Sequence, residues 1–302
     1  MLNAAVIAAH MTTFQAIVLG VLQGVTELFP ISSLGHTVIF PHLFGWNEIV
    51  SWQSDPESPW LAFVVMLHVG SAVGLFIYFW RAWLDVIGAF FATLRKRRIE
   101  TSTERLAWLI IVATIPVGIL GLLLEHAVRV ALAKPLAASI FLVINGVILL
   151  GAQRLRKRAD IRALAVREGA KRDGGRRLDT LEYREAGAIG FAQSFALIAG
   201  LSRDGLCMSG GLLRGLDNED AAHFAFLLAT PPIFAAGLLK FGDLTGPLGA
   251  GIRGDAIIAA IAAAITAIFS VHFLIRWFKT RTLTPFGIYC VVFGLAMVIY
   301  NA

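Results

Sequence analysis

Residues 20–36, GVLQGVTELFPISSLGH, put Gln23, Glu27, Ser32, Ser33 and His36 within fourteen positions of an apolar stretch broken by Pro30 and Gly35. Ser33 precedes His36 by three residues, so both side chains share a face once a helix begins there. A serine within reach of an imidazole is the minimum arrangement for an activated hydroxyl nucleophile. Ser32 suits a different task, capping the helix that starts beside it. Glu27 lies one turn after Gln23 on the same face. It has three open roles: orienting His36, pairing with a cation, or holding a divalent metal against a phosphate.

A second copy of this stretch follows 170 positions later. GFAQSFALIAGLSRDG, residues 190–205, aligns without a gap: Gly20 with Gly190, Gln23 with Gln193, Pro30 with Gly200, Ser32 with Ser202, Ser33 with Arg203 and Gly35 with Gly205. Each copy reads as an apolar helix, a breaker, a Ser with one polar residue, then Gly and a second short helix. Helices that begin after such breaks offer free N–H groups and a partial positive charge, which favour anions and phosphate above all. Arg203 adds a permanently charged fork matched to phosphate oxygens. The alternative for Arg203 is a structural pair with Glu27 alone, since an intramembrane Arg must be paired.

Composition supplies the setting. The hydrophobic fraction is 57%, charged residues are 15% and mean hydropathy is +0.74, against about a quarter charged in a soluble domain. This excludes a soluble enzyme and predicts an integral membrane protein. The net charge of +6 does not indicate nucleic acid, because the basic residues cluster between apolar spans. Cys207 and Cys290 have neither disulfide nor metal-ligand spacing. The first ten residues, MLNAAVIAAH, lack a basic start and a polar break, and read poorly as a signal peptide.

Taken in order, residues 12–29 and 35–46 flank the first breaker as a re-entrant hairpin, and 47–59 read as a polar loop. Spans are predicted at 60–80, 106–124, 136–152, 219–241, 255–276 and 284–300, each near the length a bilayer requires. Residues 81–98 read as an interfacial segment, 125–134 as a short connection, and 185–216 as the second hairpin. The basic stretch 153–184, with a Gly-Gly turn at 174–175, reads as a partly helical solvated loop between the repeats. Of 26 Lys and Arg, 20 fall in 81–105, 153–184 and 276–283, which the positive-inside rule assigns to the cytoplasm. Both termini then face outward, and the hairpins enter from opposite sides to meet near mid-bilayer. The expected fold is an all-α integral membrane protein with six transmembrane helices plus two re-entrant helical hairpins in an inverted-topology repeat. It forms a single membrane domain over 1–302, with repeat 1 at about 12–152 and repeat 2 at about 185–300. His68 in the first span is either adjacent to the site or structural, and the other histidines read as interfacial or packing residues.

QGVTELFPISSLGH resembles the motif of bacterial undecaprenyl-diphosphate phosphatases of the bacitracin-resistance type, E/Q-x-x-x-E followed by P-x-S-S-x-G-H. GLSRDGLCMSGGLLRGL resembles that family's P-G-x-S-R-S-x-x-T motif, and FVVMLHVGSAVGLFIYF a third element around Leu-His-x-Gly. The resemblance implies a bacterial inner-membrane protein whose site opens to the periplasmic side. It also implies hydrolysis of a polyprenyl diphosphate to the monophosphate carrier lipid. It makes Ser33 the nucleophile, His36 its proton partner, and Glu27 and Arg203 catalytic. Gln23, Ser32, Gly35, Ser202, Asp204, Gly205 and Cys207 contact substrate, and Glu27 holds a divalent cation, Mg or Ca. Expected partners are the diphosphate lipid, membrane lipids and a second copy of the chain, with no nucleic acid. Three positions depart from the pattern: Ala199 for Pro, Asp204 for Ser and Cys207 for Thr. A reading from another class is a transporter or flippase of a phosphorylated lipid, because broken helices in inverted repeats are also a transporter architecture.

Overall fold

The computed structural model describes residues 11–55, 58–132, 134–166, 176–246 and 251–301. Thr12 opens the first helix, α1 (Thr13–Thr26), through a capping box with Gln15. The chain turns over 27–31 and resumes as α2 (Ser33–Leu43). Next come α3 (Asn47–Ser54), α4 (Trp60–Tyr78), α5 (Trp80–Lys96), α6 (Ser102–Leu132) and α7 (Pro135–Val166). The second half runs α8 (Tyr183–Gln193), a 3₁₀ turn over Ser194–Leu197, α9 (Arg203–Leu213), α10 (Asn218–Thr245), α11 (Arg253–Phe278) and α12 (Thr284–Asn301). Among the described residues there is no strand, only one isolated bridge between Arg176 and Leu216.

Six of these helices, α4, α6, α7, α10, α11 and α12, are long and apolar enough to cross a membrane. An α-helix satisfies its own backbone groups where no water can. The lipid-side surface matches, with Leu238 80% and Ile299 79% exposed. On α5, Leu84, Ile87, Phe91 and Leu94 are exposed apolar residues, and Arg95 and Lys96 end the helix. That pattern suits a helix lying in the interface.

Three expectations differ from the structure. Residues 47–54 form helix α3 rather than a loop, because Trp52 and Ile49 bury against the core and hold the segment down. The connection at 125–134 is helical through Leu132, so α6 and α7 are separated by only two residues. The basic stretch after 153 begins as a continuation of α7 to Val166, since nothing before that point breaks a helix. The Gly-Gly turn at 174–175 and the first ten residues lie outside the described residues.

Packing rests on small residues, as expected where lipid tails remove the hydrophobic incentive for helices to associate. One face of α11 buries Ala256, Ala259, Ala260, Ala263 and Ala267. Gly20 and Gly24 of α1 lie against the carbonyls of Ala259 and Ala263, and Gly70 of α4 lies against Ala260. Gly190 of α8 meets the carbonyl of Ala113 in α6. The aligned glycines of the two copies thus make the same kind of contact on different long helices.

Candidate active site

Both breaks end in a serine cap. Ser32 adopts φ +71°, unusual outside glycine, and its Oγ accepts from the amide of Gly35 at 3.1 Å. The same Oγ accepts from the amide of Gly200, in the other copy, at 3.1 Å. Gly200 itself sits at φ +103°, where a side chain is disfavoured. Ser202 caps α9 by accepting from Gly205 at 3.1 Å. Gly35 fits against Gly200 so closely that an added Cβ would lie 3.0 Å from the Gly200 Cα. The two breaks therefore touch, and the residues after them share one space.

Glu27 is the hub of that space, with its side chain 5% exposed. Ser33 Oγ donates to its Oε2 at 2.5 Å and Gln23 Nε2 donates to the same oxygen at 2.9 Å. Arg203 Nη2 pairs with Oε1, and Arg203 Nη1 donates to the carbonyl of Ala229 at 3.1 Å. His68 Nε2 lies 3.4 Å from Oε2, its ring held by Nδ1–H donating to Val64 at 2.8 Å. Ser33 and Arg203, so far apart in sequence, thus share a single carboxylate.

A cavity of about 590 Å³ opens over this cluster, with Glu27, Ser33, His68, Ser202 and Arg203 at one end. Its remaining walls are largely apolar and come mainly from α4, α6 and α10, including Val117, Gly118, Gly121, Pro232 and Leu239, with α2 and the segment after α8 closing the rest. Leu122 and Leu239, at its edge, are 73% and 64% exposed, so the groove opens sideways toward lipid.

Several expected site residues lie elsewhere. His36 is 1% exposed and turned away from the cavity. Its Nδ1–H donates to the carbonyl of Ser32 at 2.7 Å, and its Nε2 meets the Tyr289 hydroxyl at 2.8 Å. The ring is stacked with Tyr289 and Phe293 of α12. Ser33 instead bonds Glu27, because the turn over 27–31 folds the end of α1 back over the start of α2. Asp204, Gly205 and Cys207 follow Arg203 on α9 but do not line the cavity. Asp204 is wholly buried, 3.7 Å from Arg203 Nε, and neither oxygen has a hydrogen-bond partner. Cys207 Sγ lies 3.7 Å from Gln193 Oε1, and Gln193 Nε2 donates to Ala113 in α6. Ser32 and Gly35 serve the junction between the breaks, and Gln23 serves Glu27 from behind.

Three polar lining residues, Gln53, Thr114 and Gln193, are not among the site residues expected from sequence; Thr114 donates to the carbonyl of Ile110 within α6. Gln53 donates to the carbonyl of Thr37 at 3.1 Å and lines the cavity from α3. It was hidden by the reading of 47–59 as a loop. Gln193 carries a signal, its alignment with Gln23.

The fold and this cluster define a multi-pass membrane protein whose two broken helix pairs enclose a hydroxyl, a carboxylate and a guanidinium beneath a lipid-facing groove. The family model for Bacitracin resistance protein BacA matches residues 16–296, and the chain belongs to that family. It is 50% identical to Undecaprenyl-diphosphatase 2 of Frankia alni, over 94% of this chain and 96% of the relative. It is 49% identical to the Undecaprenyl-diphosphatase of Mycolicibacterium paratuberculosis, over 97% and 99% of the two chains. A further relative, Undecaprenyl-diphosphatase of Granulibacter bethesdensis, is 40% identical over 94% of this chain and 95% of the relative.

Proposed function

We propose that this chain hydrolyses undecaprenyl diphosphate to the monophosphate carrier lipid and inorganic phosphate. The observation that carries the reading is Ser33 and Arg203 meeting on Glu27 at the floor of an apolar groove. The polyprenyl tail lies in the groove between α6 and α10, and the diphosphate faces the starts of α2 and α9. Arg203 exchanges its pairing with Glu27 for the phosphate oxygens, and the helix amino ends add partial positive charge. Ser33 Oγ attacks the terminal phosphorus as its proton passes to Glu27 Oε2. The phosphoanhydride P–O bond breaks and the lipid monophosphate leaves. Water then attacks the Ser33-bound phosphorus, the Ser33 Oγ–P bond breaks as Glu27 returns its proton to Oγ, and inorganic phosphate leaves carrying the oxygen and protons of the water. Glu27, not His36, is the proton acceptor in this arrangement. His36 instead anchors the start of α2 to α12.

A divalent cation fits this site only in part. Among the described residues no three His, Cys, Asp or Glu converge into a ready-made cage. Glu27 borders the cavity, however, and Gln23 Oε1 is buried without a partner one turn away. Those oxygens suit a cation that arrives already bound to diphosphate, as Mg²⁺ commonly does. Such an ion would offset the charge on the transferring group. Chelation with EDTA is expected to lower turnover at least about tenfold, with recovery on adding Mg²⁺ or Ca²⁺; unchanged turnover would remove the cation from the mechanism.

The charge distribution supports an inner-membrane protein with its basic loops in the cytoplasm and its termini and site facing the periplasm. The equivalent glycine contacts of α1 and α8 support two re-entrant hairpins of opposite insertion in a single inverted-repeat domain. The direct test is phosphate release from undecaprenyl diphosphate by purified protein in detergent, where transport has no meaning. Binding without turnover would reject the enzyme.

The groove makes its own prediction. A Cβ on Gly121 would meet nothing within 4 Å, so Gly121→Phe is expected to fold and to fill the tail path. KM for undecaprenyl diphosphate should rise about fivefold or more, with little change for a short-chain prenyl diphosphate. Equal effects on both substrates would place the tail elsewhere.

A further inference from the structure

We infer that Asn145, in the middle of the membrane-spanning helix α7, is a positioning residue that sets the register between Ser33 and Arg203. The inference rests on the phosphatase reading above. Asn145 is fully buried. Its Nδ2 donates to the carbonyl of Pro30, in the first break, at 2.9 Å. Its Oδ1 accepts from the amide of Ser202, in the second break, at 3.0 Å. One carboxamide therefore ties together two segments that lie 115 and 57 residues from it in sequence.

The tied atoms sit beside the chemistry. Pro30 is three residues before Ser33, and Ser202 immediately precedes Arg203. Any slack at Pro30 moves the hydroxyl, and any slack at Ser202 moves the guanidinium. The joint needs a donor and an acceptor on one short, rigid head, which asparagine supplies. Polar side chains at membrane depth are costly and need a purpose, and Asn145 is surrounded by Ile, Val and Leu in sequence. Two direct links also join the breaks, Ser32 Oγ to the amide of Gly200, which comes from a cap, and Arg203 to Glu27, which belongs to the reacting cluster itself. Asn145 reaches both breaks from a third helix, and its side chain bonds neither Ser33 nor Arg203.

The test compares purified full-length wild type with Asn145→Leu, which keeps the volume and removes the bonds to both breaks together with the 3.4 Å contact from Nδ2 to Cys290 Sγ. Because the tail groove is untouched, kcat is expected to fall at least about tenfold while KM stays within about threefold. Amide hydrogen exchange should speed up in both 28–36 and 198–206 and remain unchanged elsewhere. Arg203→Lys should be damaging in wild type yet cost less than about threefold more in Asn145→Leu, because the guanidinium is already out of register. Asn145→Asp is a second variant that retains an acceptor for Ser202 but sets an oxygen against the Pro30 carbonyl. It should loosen 28–36 and leave 198–206 protected. Unchanged exchange in both segments, a rise in KM with kcat intact, or independent effects of Asn145→Leu and Arg203→Lys would each overturn the inference. A wild-type protein that releases no phosphate would overturn the phosphatase reading instead, and the exchange comparison would still decide whether Asn145 joins the breaks.

Discussion

Purified Ser33→Ala is expected to lose phosphate release by about 10³-fold or more while melting close to wild type. The size follows from removal of the nucleophile itself, whose loss cannot be offset by binding or charge stabilisation. The small effect on stability follows from its contacts. Ser33 Oγ makes one hydrogen bond, to Glu27, and such a bond contributes about 1 kcal/mol. Glu27 also keeps Gln23, Arg203 and His68 after the change. The measurement is phosphate released from undecaprenyl diphosphate in detergent, paired with a thermal melt of the same preparation. Near-wild-type turnover would mean that water attacks phosphorus directly and that Ser33 serves only to start α2.

Glu27→Gln is expected to be nearly as damaging to turnover, about 10²- to 10⁴-fold, the range for loss of a positioned base. It should also destabilise the protein, which Ser33→Ala should not. Removing one partner of a buried pair leaves an uncompensated charge and costs about 3–5 kcal/mol. Arg203 is that partner, 15% exposed, bonded otherwise to the Ala229 carbonyl and left with only the longer 3.7 Å approach of Asp204 to its Nε. The double variant Glu27→Gln/Arg203→Gln removes both charges, so its melting temperature should recover much of the loss while activity stays absent. That split separates the two tasks of Glu27, holding Arg203 and accepting the Ser33 proton. Full activity in Glu27→Gln would return the base role to His36, against its burial and its bonds to Ser32 and Tyr289.

These outcomes bear on the departures of this chain from the family pattern. Asp204 and Cys207 replace hydroxyl residues next to Arg203, yet both lie behind the cavity wall. Cys207 is taken up in packing against Gln193. Asp204 lies 3.7 Å from Arg203 Nε, at ion-pair distance and without a hydrogen bond.

Much of the architecture was legible in the residues alone. The six spans follow from runs of apolar residues near bilayer length. The two breaks follow from Pro30 and Gly200, which interrupt helices through local backbone geometry. Ser33, Glu27 and Arg203 were identifiable because polar residues are rare in such surroundings. All of these signals are short in range, so they survive without knowledge of the fold. Which of those groups meet is different, because it depends on contacts across the whole chain. A helical spacing of three pointed Ser33 at His36; the turn over 27–31 and the left-handed Ser32 gave Ser33 to Glu27 and sent His36 to Tyr289, 253 residues away. His68 reached Glu27, Gln53 reached the cavity, and Asn145 reached both breaks only through the packing of α3, α4 and α7 around them. Periodicity and breakers specify where helices start and stop; the meeting of side chains is decided by close approach of small residues on different helices, which no local pattern encodes.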